Sequence, residues 1–400
     1  MTGLVPREHW EHNFGDLFRG LAAALGPREQ SKVLHIANLG SCIPVRSGRA
    51  GLVTAIRALN LPKGARIGVP LYCCPVVFKA ITAADCKVRF LDIEPETFCM
   101  SPNDLSAKIS QLDAVIAVHM FGNLCDMTNL REAAQGKPII EDCAQALGSE
   151  IQGRMAGSFG NIAFFSFRSG KYLSVGEGGA LFSSDADMCS RISQLTHELT
   201  VPNYLDECVH TAKVYIKSIL RTKPLYGIVG SPLWRFLNKD MNLSENSGVA
   251  LSQIHMTDFT IIRKRLPLLD SAIKRQRANA EFYSSELNLE SGMLCSEKPG
   301  TYYNRYYFPI TFHLTEHRDF IADYLFSRQI DTIKYIDYIV GFASKHYDYS
   351  GDCPVAERLS NRVLIIPSYH SLKITDIQRI AQFINEGWEG IKIHGGNASL

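Results

Sequence analysis

The chain of 400 residues has almost no net charge, with 42 lysines and arginines against 40 aspartates and glutamates. That balance gives no electrostatic reason to expect a nucleic-acid partner. Its basic residues are scattered, and Arg263-Lys264-Arg265 with Lys274-Arg275-Gln276-Arg277 read as a solvated helix face. No stretch approaches the roughly 20 apolar residues of a membrane span, and the opening Met1–Trp10 lacks the apolar core of a signal peptide. The 11 cysteines include no CxxC pair, and adjacent Cys73 and Cys74 are poorly placed for an ordinary bridge. Reduced thiols in a cytoplasmic protein are therefore expected. Gly170-Lys171 ends like a P-loop, but Phe165 stands where its first glycine belongs and Tyr172 where Ser or Thr belongs. No G-x-S-x-G elbow is present. His119, Cys125 and Cys143 lack ligand spacing, so no metal is expected.

What is present is a chain with 46% hydrophobic residues, enough for a large domain and a smaller one. Helical spacing over Ala50–Leu59, a strand at Arg66–Pro70 and a helix at Val76–Ala84 begin an alternating pattern. Strands at Val88–Ile93, Ala114–Val118 and Pro138–Ile140 continue it, with helices near Asn103–Ile109 and Met127–Ala134 between them. Asn161–Phe165 and Ala180–Phe182 read as later strands of one largely parallel sheet with covered faces. Residues 199–246 break this rhythm as an apolar, proline-interrupted insert, expected to pack within the subunit or on a second one. Shallow membrane contact is its weaker reading. A long helix is expected over Ser252–Leu287, then a strand at Tyr306–Phe312 and a helix at His317–Arg328. A strand at Val363–Pro367 and a closing helix at Ile374–Ile384 complete the pattern. The division is a large domain over 1–250, including an N-terminal arm and the insert, and a smaller C-terminal α/β domain over 251–400.

Lys171 sits in an aromatic, glycine-rich turn, Phe164 to Leu173, with Gly176-Glu177-Gly178-Gly179 just beyond. A lysine there loses hydration, which favours the neutral amine that can condense with an aldehyde. Asp142 closes an apolar strand, where ligands bind in open α/β sheets and where a carboxylate can pair with a pyridinium nitrogen. These are the two groups that pyridoxal phosphate requires. Ser47-Gly48-Arg49-Ala50 opens a helix with N–H groups, a hydroxyl and a guanidinium, a natural phosphate cradle to which Ser166 could add a hydroxyl. Taken singly each is ordinary: Asp142 could cap a helix, Ser47-Gly48 likewise, and most lysines are simply solvated.

Together these segments resemble the DegT/DnrJ/EryC1/StrS group of pyridoxal-phosphate-dependent sugar aminotransferases. The match runs through Ser47–Leu52, Val69-Pro70, Phe90–Ile93, Val118–Gly122 and Glu141–Gly148. It continues with Gly157–Gly160, Phe165-Ser166-Phe167…Lys171 and Gly176–Gly179. The resemblance implies a fold-type I, aspartate aminotransferase-like α/β transferase whose sites are completed across a homodimer. It implies that Lys171 forms the Schiff base, Asp142 partners the pyridine nitrogen and Gln145 contacts the ring hydroxyl. Ser166 with the Gly48-Arg49-Ala50 turn matches the phosphate site, and Asn242 matches an asparagine that reaches the neighbouring subunit. The implied reaction moves an amino group from an amino acid, L-glutamate, to a keto-sugar linked to a nucleotide, in amino-sugar or surface-polysaccharide synthesis. Three positions depart from the family pattern. Arg49 stands where Thr is common, Cys74 falls where an aromatic stacks on the cofactor (with Tyr72 two residues before), and Arg168 replaces a frequent His. Arg168 could bind a substrate phosphate or carboxylate, or brace the turn; Tyr335, Tyr338 and His370 are further substrate candidates. A sugar dehydratase on the same scaffold, which has His in place of the lysine, and a non-catalytic regulatory homologue are the alternatives.

Overall fold

The structure is a computed structural model and describes residues 3–8, 10–26, 32–233 and 248–394. The expected Asn242 lies outside the described residues, as do Trp234 and part of the insert. Eight strands form the main sheet: β1 (Leu34–Ile36), β2 (Gly40–Val45), β3 (Arg66–Pro70), β4 (Lys87–Leu91), β5 (Ala114–Val118) and β6 (Ile139–Asp142), then β9 (Ile162–Ser166) and β10 (Gly179–Phe182). Between β6 and β9 lie the two-residue strands β7 (Glu150–Ile151) and β8 (Arg154–Met155), which pair in a separate small sheet with β11 (Thr301–Tyr302).

The main sheet has the order β1-β2-β10-β9-β6-β5-β3-β4. Its β9-β6-β5-β3-β4 portion is parallel throughout, whereas β10, β2 and β1 join by antiparallel pairing. Parallel strands need crossovers, and the apolar helices supply them while covering the faces. Every residue of β5 is buried, as a strand covered on both sides requires. Helix α1 is Phe14–Leu25, α2 Gly48–Ala58, α3 Pro75–Ala83, α4 Pro102–Lys108, α5 Met127–Ala133, α6 Ala186–His197 and α7 Tyr204–Ile219. The expected long helix is interrupted. α8 (Met256–Arg265) and α9 (Leu269–Glu286) are joined by a tight turn at Leu266–Leu268, because Pro267 has no N–H to continue the ladder.

The C-terminal part is a three-stranded antiparallel sheet, β12 (Phe308–Thr311), β14 (Val363–Ile366) and β13 (Ile333–Lys334), in that order. Around it lie α10 (Thr315–Ser327), α11 (Ile339–His346), α12 (Pro354–Ser360) and α13 (Ile374–His394), the last ten residues longer than its apolar spacing predicts. Strand β14 shows the two-residue period of side chains at work. Val363 and Ile365 pack into the core of the main sheet, while Leu364 and Ile366 pack with Ile321, Leu325, Ile380 and Trp388. The N-terminal arm joins this unit too, since Val5 bonds to Gln329 and Asp331 through its backbone. The whole is an α/β fold with a mostly parallel main sheet and a smaller C-terminal sheet.

Candidate active site

The carboxyl ends of β6 and β9 and the loop from β9 to β10 meet at one edge of the sheet. Lys171 lies at the tip of that loop. Backbone bonds from Phe167 to Gly178 and from Ser169 to Gly176 tie its stem, and the Lys171 N–H donates to the Arg168 carbonyl at 2.9 Å. Its Nζ stands 4.2 Å from the centre of the Tyr306 ring. Burial and the nearby Arg168 guanidinium push its pKa down to about 7, against the opposing pull of Asp142. Near pH 7 about half of such amines are neutral and able to add to a carbonyl.

Asp142 is 6% exposed. One of its oxygens accepts the Ala144 N–H at 2.9 Å. Burial nonetheless raises its pKa to about 6, with that N–H, Lys171 and His119 opposing the rise. It is a carboxylate short of positive charge, and a protonated ring nitrogen would supply it.

The residue before it on β6 shows a different treatment. Glu141 accepts N–H groups from Gly157 at 2.8 Å, Phe159 at 2.7 Å and Gly160 at 2.5 Å. His119 Nε2 lies 3.0 Å from its Oε2. Because the Cys125 N–H points at His119 Nδ1 from 3.1 Å, that nitrogen accepts, and Nε2 carries the proton donated to Glu141. Both His119 nitrogens and both Glu141 oxygens are thus committed to hydrogen bonds within the fold, which leaves only the Cys143 sulfur of the His119–Glu141–Cys143 group. A second cluster, Glu177, His210 and His255, has its two imidazoles stacked 4.0 Å apart at 7°. Parallel rings hold their lone pairs in parallel planes, which do not converge as a tetrahedral ion demands.

The residues of the expected phosphate cradle are closely fitted. A Cβ on Gly48 would stand 2.8 Å from Ser166 Cβ, so only glycine lets the start of α2 approach Ser166. The Ala50 N–H is already taken by Ser47 Oγ at 3.2 Å, so this member of the expected cradle is engaged in the helix cap. Arg49 is exposed at the same helix start. Gln145 accepts the Phe121 N–H at 2.9 Å and donates through Nε2 to the Tyr335 hydroxyl at 2.9 Å. Cys74 caps α3 near enough to Lys171 and Tyr335 to act on both electrostatically. Tyr72, in contrast, is fully buried against Phe98 and Phe121, whereas Cys74 is half-buried.

Arg168 is solvent-exposed, and Tyr338 is 37% exposed and packs edge-on to Phe342. His370 lines the Lys171 pocket, paired with Glu11 at 2.7 Å. Sequence reasoning overlooked three contributors. The arm brings Glu8 into the pocket, where its Oε2 would lie 3.0 Å from a Cβ on Gly170 and its Oε1 accepts the Tyr307 hydroxyl at 3.1 Å. Tyr306 donates to the Gly170 carbonyl at 3.2 Å. Asn304 donates to the carbonyls of Gln145 at 2.9 Å and Leu147 at 3.0 Å, fastening this segment beside Asp142. The one available signal was the run Tyr302-Tyr303-Asn304-Arg305-Tyr306-Tyr307, polar aromatics ahead of a strand.

Comparison with known proteins now places this geometry. The model of the DegT/DnrJ/EryC1/StrS aminotransferase family matches residues 31–385. The chain belongs to that family. It is a pyridoxal-phosphate-dependent aminotransferase. A UDP-N-acetyl-3-dehydro-alpha-D-glucosamine 3-aminotransferase of Acidithiobacillus ferrooxidans is 27% identical, over 90% of this chain and 88% of its own length. GDP-perosamine synthase of Escherichia coli O157:H7 is 26% identical over 86% and 84%. An L-glutamine:2-deoxy-scyllo-inosose aminotransferase of Streptomyces fradiae is 34% identical, but only over 38% of this chain and 37% of its own. Among solved structures, sugar aminotransferase CalS13 of Micromonospora echinospora superposes with a TM-score of 0.72 at 20% identity, over 96% of this chain and all of that one. This family's fold is the one described above. Among the described residues no helix is long and apolar enough to cross a membrane.

Proposed function

We propose that this aminotransferase moves an amino group from L-glutamate to a keto-sugar carried on a nucleotide, with Lys171 and Asp142 as its catalytic residues. The observation that carries the reading is the pairing of a partly neutral Lys171 amine, lowered to about 7, with an Asp142 raised to about 6 at the same sheet edge. The names of the relatives support a sugar or cyclitol carbonyl as acceptor. The residues fit the cofactor. Lys171 would hold its aldehyde carbon, Asp142 its ring nitrogen, Gln145 its ring hydroxyl, and Ser166 with the Gly48-Arg49 start of α2 its phosphate; Cys74 would lie along the ring. When bound, pyridoxal phosphate supplies the aldehyde for that amine and a ring able to accept the electrons of a carbanion. Lys171 Nζ, once free, would take the proton from the donor's α-carbon and deliver it, within the same half of the exchange, to the carbon at which that amine had been held; in the second half it would move a proton the opposite way. Asp142, ionised, keeps the ring nitrogen protonated throughout. Tyr335 holds Gln145 in place, and the Tyr306 ring and Glu8 help to keep water from the amine.

Retention of Lys171 favours amino transfer over dehydration. The same reading includes a homodimer with Asn242 reaching the partner's site, the domain division at 250 and 251, substrate contacts from Arg168, Tyr335 and His370, and a cytoplasmic location. The test is to incubate holoenzyme with L-glutamate or L-glutamine and a panel of nucleotide keto-sugars. Formation of 2-oxo acid together with an amino sugar is expected, and 2-oxo acid production that no keto-sugar stimulates would overturn the sugar assignment.

A further inference from the structure

Helices α1 and α7 lie side by side, with the Phe14 and Tyr215 rings 5.5 Å apart, and both are built inside out. The face that α1 buries carries Asp16, Gly20 and Ala24, and the face that α7 buries carries Glu207, Thr211, Val214 and Ser218. These inward polar groups are engaged. Asp16 pairs with Lys264 and Arg265, each at 2.7 Å, Glu207 accepts the Met256 N–H at 2.9 Å, and Ser218 donates to the Trp10 carbonyl at 2.8 Å.

The outward faces are apolar. Phe14, Phe18 and Leu25 are 69%, 68% and 68% exposed, and Leu205, Val209 and Ile216 are 72%, 40% and 57% exposed. Both triplets follow the spacing i, i+4, i+11, which at about 100° per residue puts each set on one stripe. A surface helix of a soluble protein has the reverse arrangement. In the segment that follows α7, Ile228 and Val229 are also 53% and 41% exposed.

The charge at the rim identifies the occupant. The exposed charged residues of the two helices are Arg19, Lys213 and Lys217 against Asp206 alone. A second copy docked about a two-fold axis would bring this cationic rim against itself, without the opposite charges that a self-complementary patch needs. An anionic lipid surface offers both apolar depth and negative charge. We propose that the α1–α7 face seats this enzyme peripherally on an anionic membrane, with the two stripes entering the headgroup region and the three cations meeting lipid phosphates. The inference does not depend on the identity of the amino acceptor.

The test is co-flotation of full-length holoenzyme with vesicles of phosphatidylcholine alone or of phosphatidylcholine and phosphatidylglycerol at 3:1. Binding is expected to the anionic vesicles only. The double variant Phe18→Asp/Ile216→Asp should lower the bound fraction at least tenfold while leaving cofactor absorbance and turnover unchanged. Lys213→Glu/Lys217→Glu, which spares the apolar stripes, should abolish the preference for anionic lipid. Failure of the wild type to float with anionic vesicles would overturn the proposal. So would binding that ignores both variants, or a halving of solution mass by Phe18→Asp/Ile216→Asp, which would make the face a contact between copies.

Discussion

Glu141 and Asp142 are consecutive residues of one strand, both buried, with pKa values displaced in opposite directions. Burial raises both. Glu141 overcomes it with three backbone N–H donors and the His119 N–H, so its pKa falls below the ordinary 4.5; Asp142 has one backbone N–H and is left high. What separates a structural carboxylate from a reactive one here is the number of donors supplied, not the depth at which each sits. Alternation along the strand explains the division, since neighbouring side chains leave on opposite faces.

The strongest way to sharpen this contrast is through the amine across the pocket. Lys171→Ala should lower turnover about a thousandfold or more, with the far-ultraviolet spectrum intact, because among the described residues no other lysine lines the pocket to carry the proton. Retained turnover would break the assignment. Asp142→Asn should cost about a hundredfold in kcat, since an amide cannot stabilise the ring's positive charge, and should leave stability near neutral pH no lower.

Glu141→Gln is expected to do the opposite. An amide turns a donor toward N–H donors, so roughly 3 kcal/mol of unfolding free energy should be lost in denaturant titration while the folded fraction still turns over. A smaller effect should follow from Tyr335→Phe, which removes one hydrogen bond to Gln145. Cofactor affinity should weaken severalfold, consistent with about 1 kcal/mol, as read from absorbance titration.

Stability against pH sharpens the pair further. Glu141 has a folded-state pKa below its unfolded value of 4.5, so its contribution is present above that pH and lost as pH falls through the folded value. Asp142 is raised from 3.8 to about 6, so it favours the fold while protonated, and that advantage disappears as pH rises through about 6. Apoprotein of the wild type should therefore lose ground to Asp142→Asn between pH 4 and 6 in thermal melts, and a difference constant over that range would break the comparison. For Lys171, the rate at which apoprotein traps an added aldehyde should climb with pH and level off above about 7.

Much of the architecture was readable because local signals agreed with tertiary demands. The parallel strand β5 is a continuous apolar run, β3 and β6 carry short apolar cores, and Asp142 ends β6 directly after Ile139-Ile140 and Glu141. β1 is only three residues long, and β2, GSCIPV, shows no two-residue alternation and contains Pro44, which lies opposite Ala180 of β10, so neither is legible in the sequence. The break at Pro267 was visible as a residue but was outweighed by the apolar spacing on either side. Glu8 could not be placed from sequence, since its position depends on Val5 pairing more than three hundred residues downstream. Sequence leaves the stacking residue open between Cys74 and the nearby Tyr72; packing against Phe98 and Phe121 puts Tyr72 in the core.

That early arm has an implication for biosynthesis. The pocket wall containing Glu8 is anchored to Ile330 and its neighbours, so a ribosome must release most of the polypeptide before the wall can form. Until then the lysine stays hydrated and charged, so the nascent chain, like a prematurely terminated product, lacks the reactive amine that burial creates.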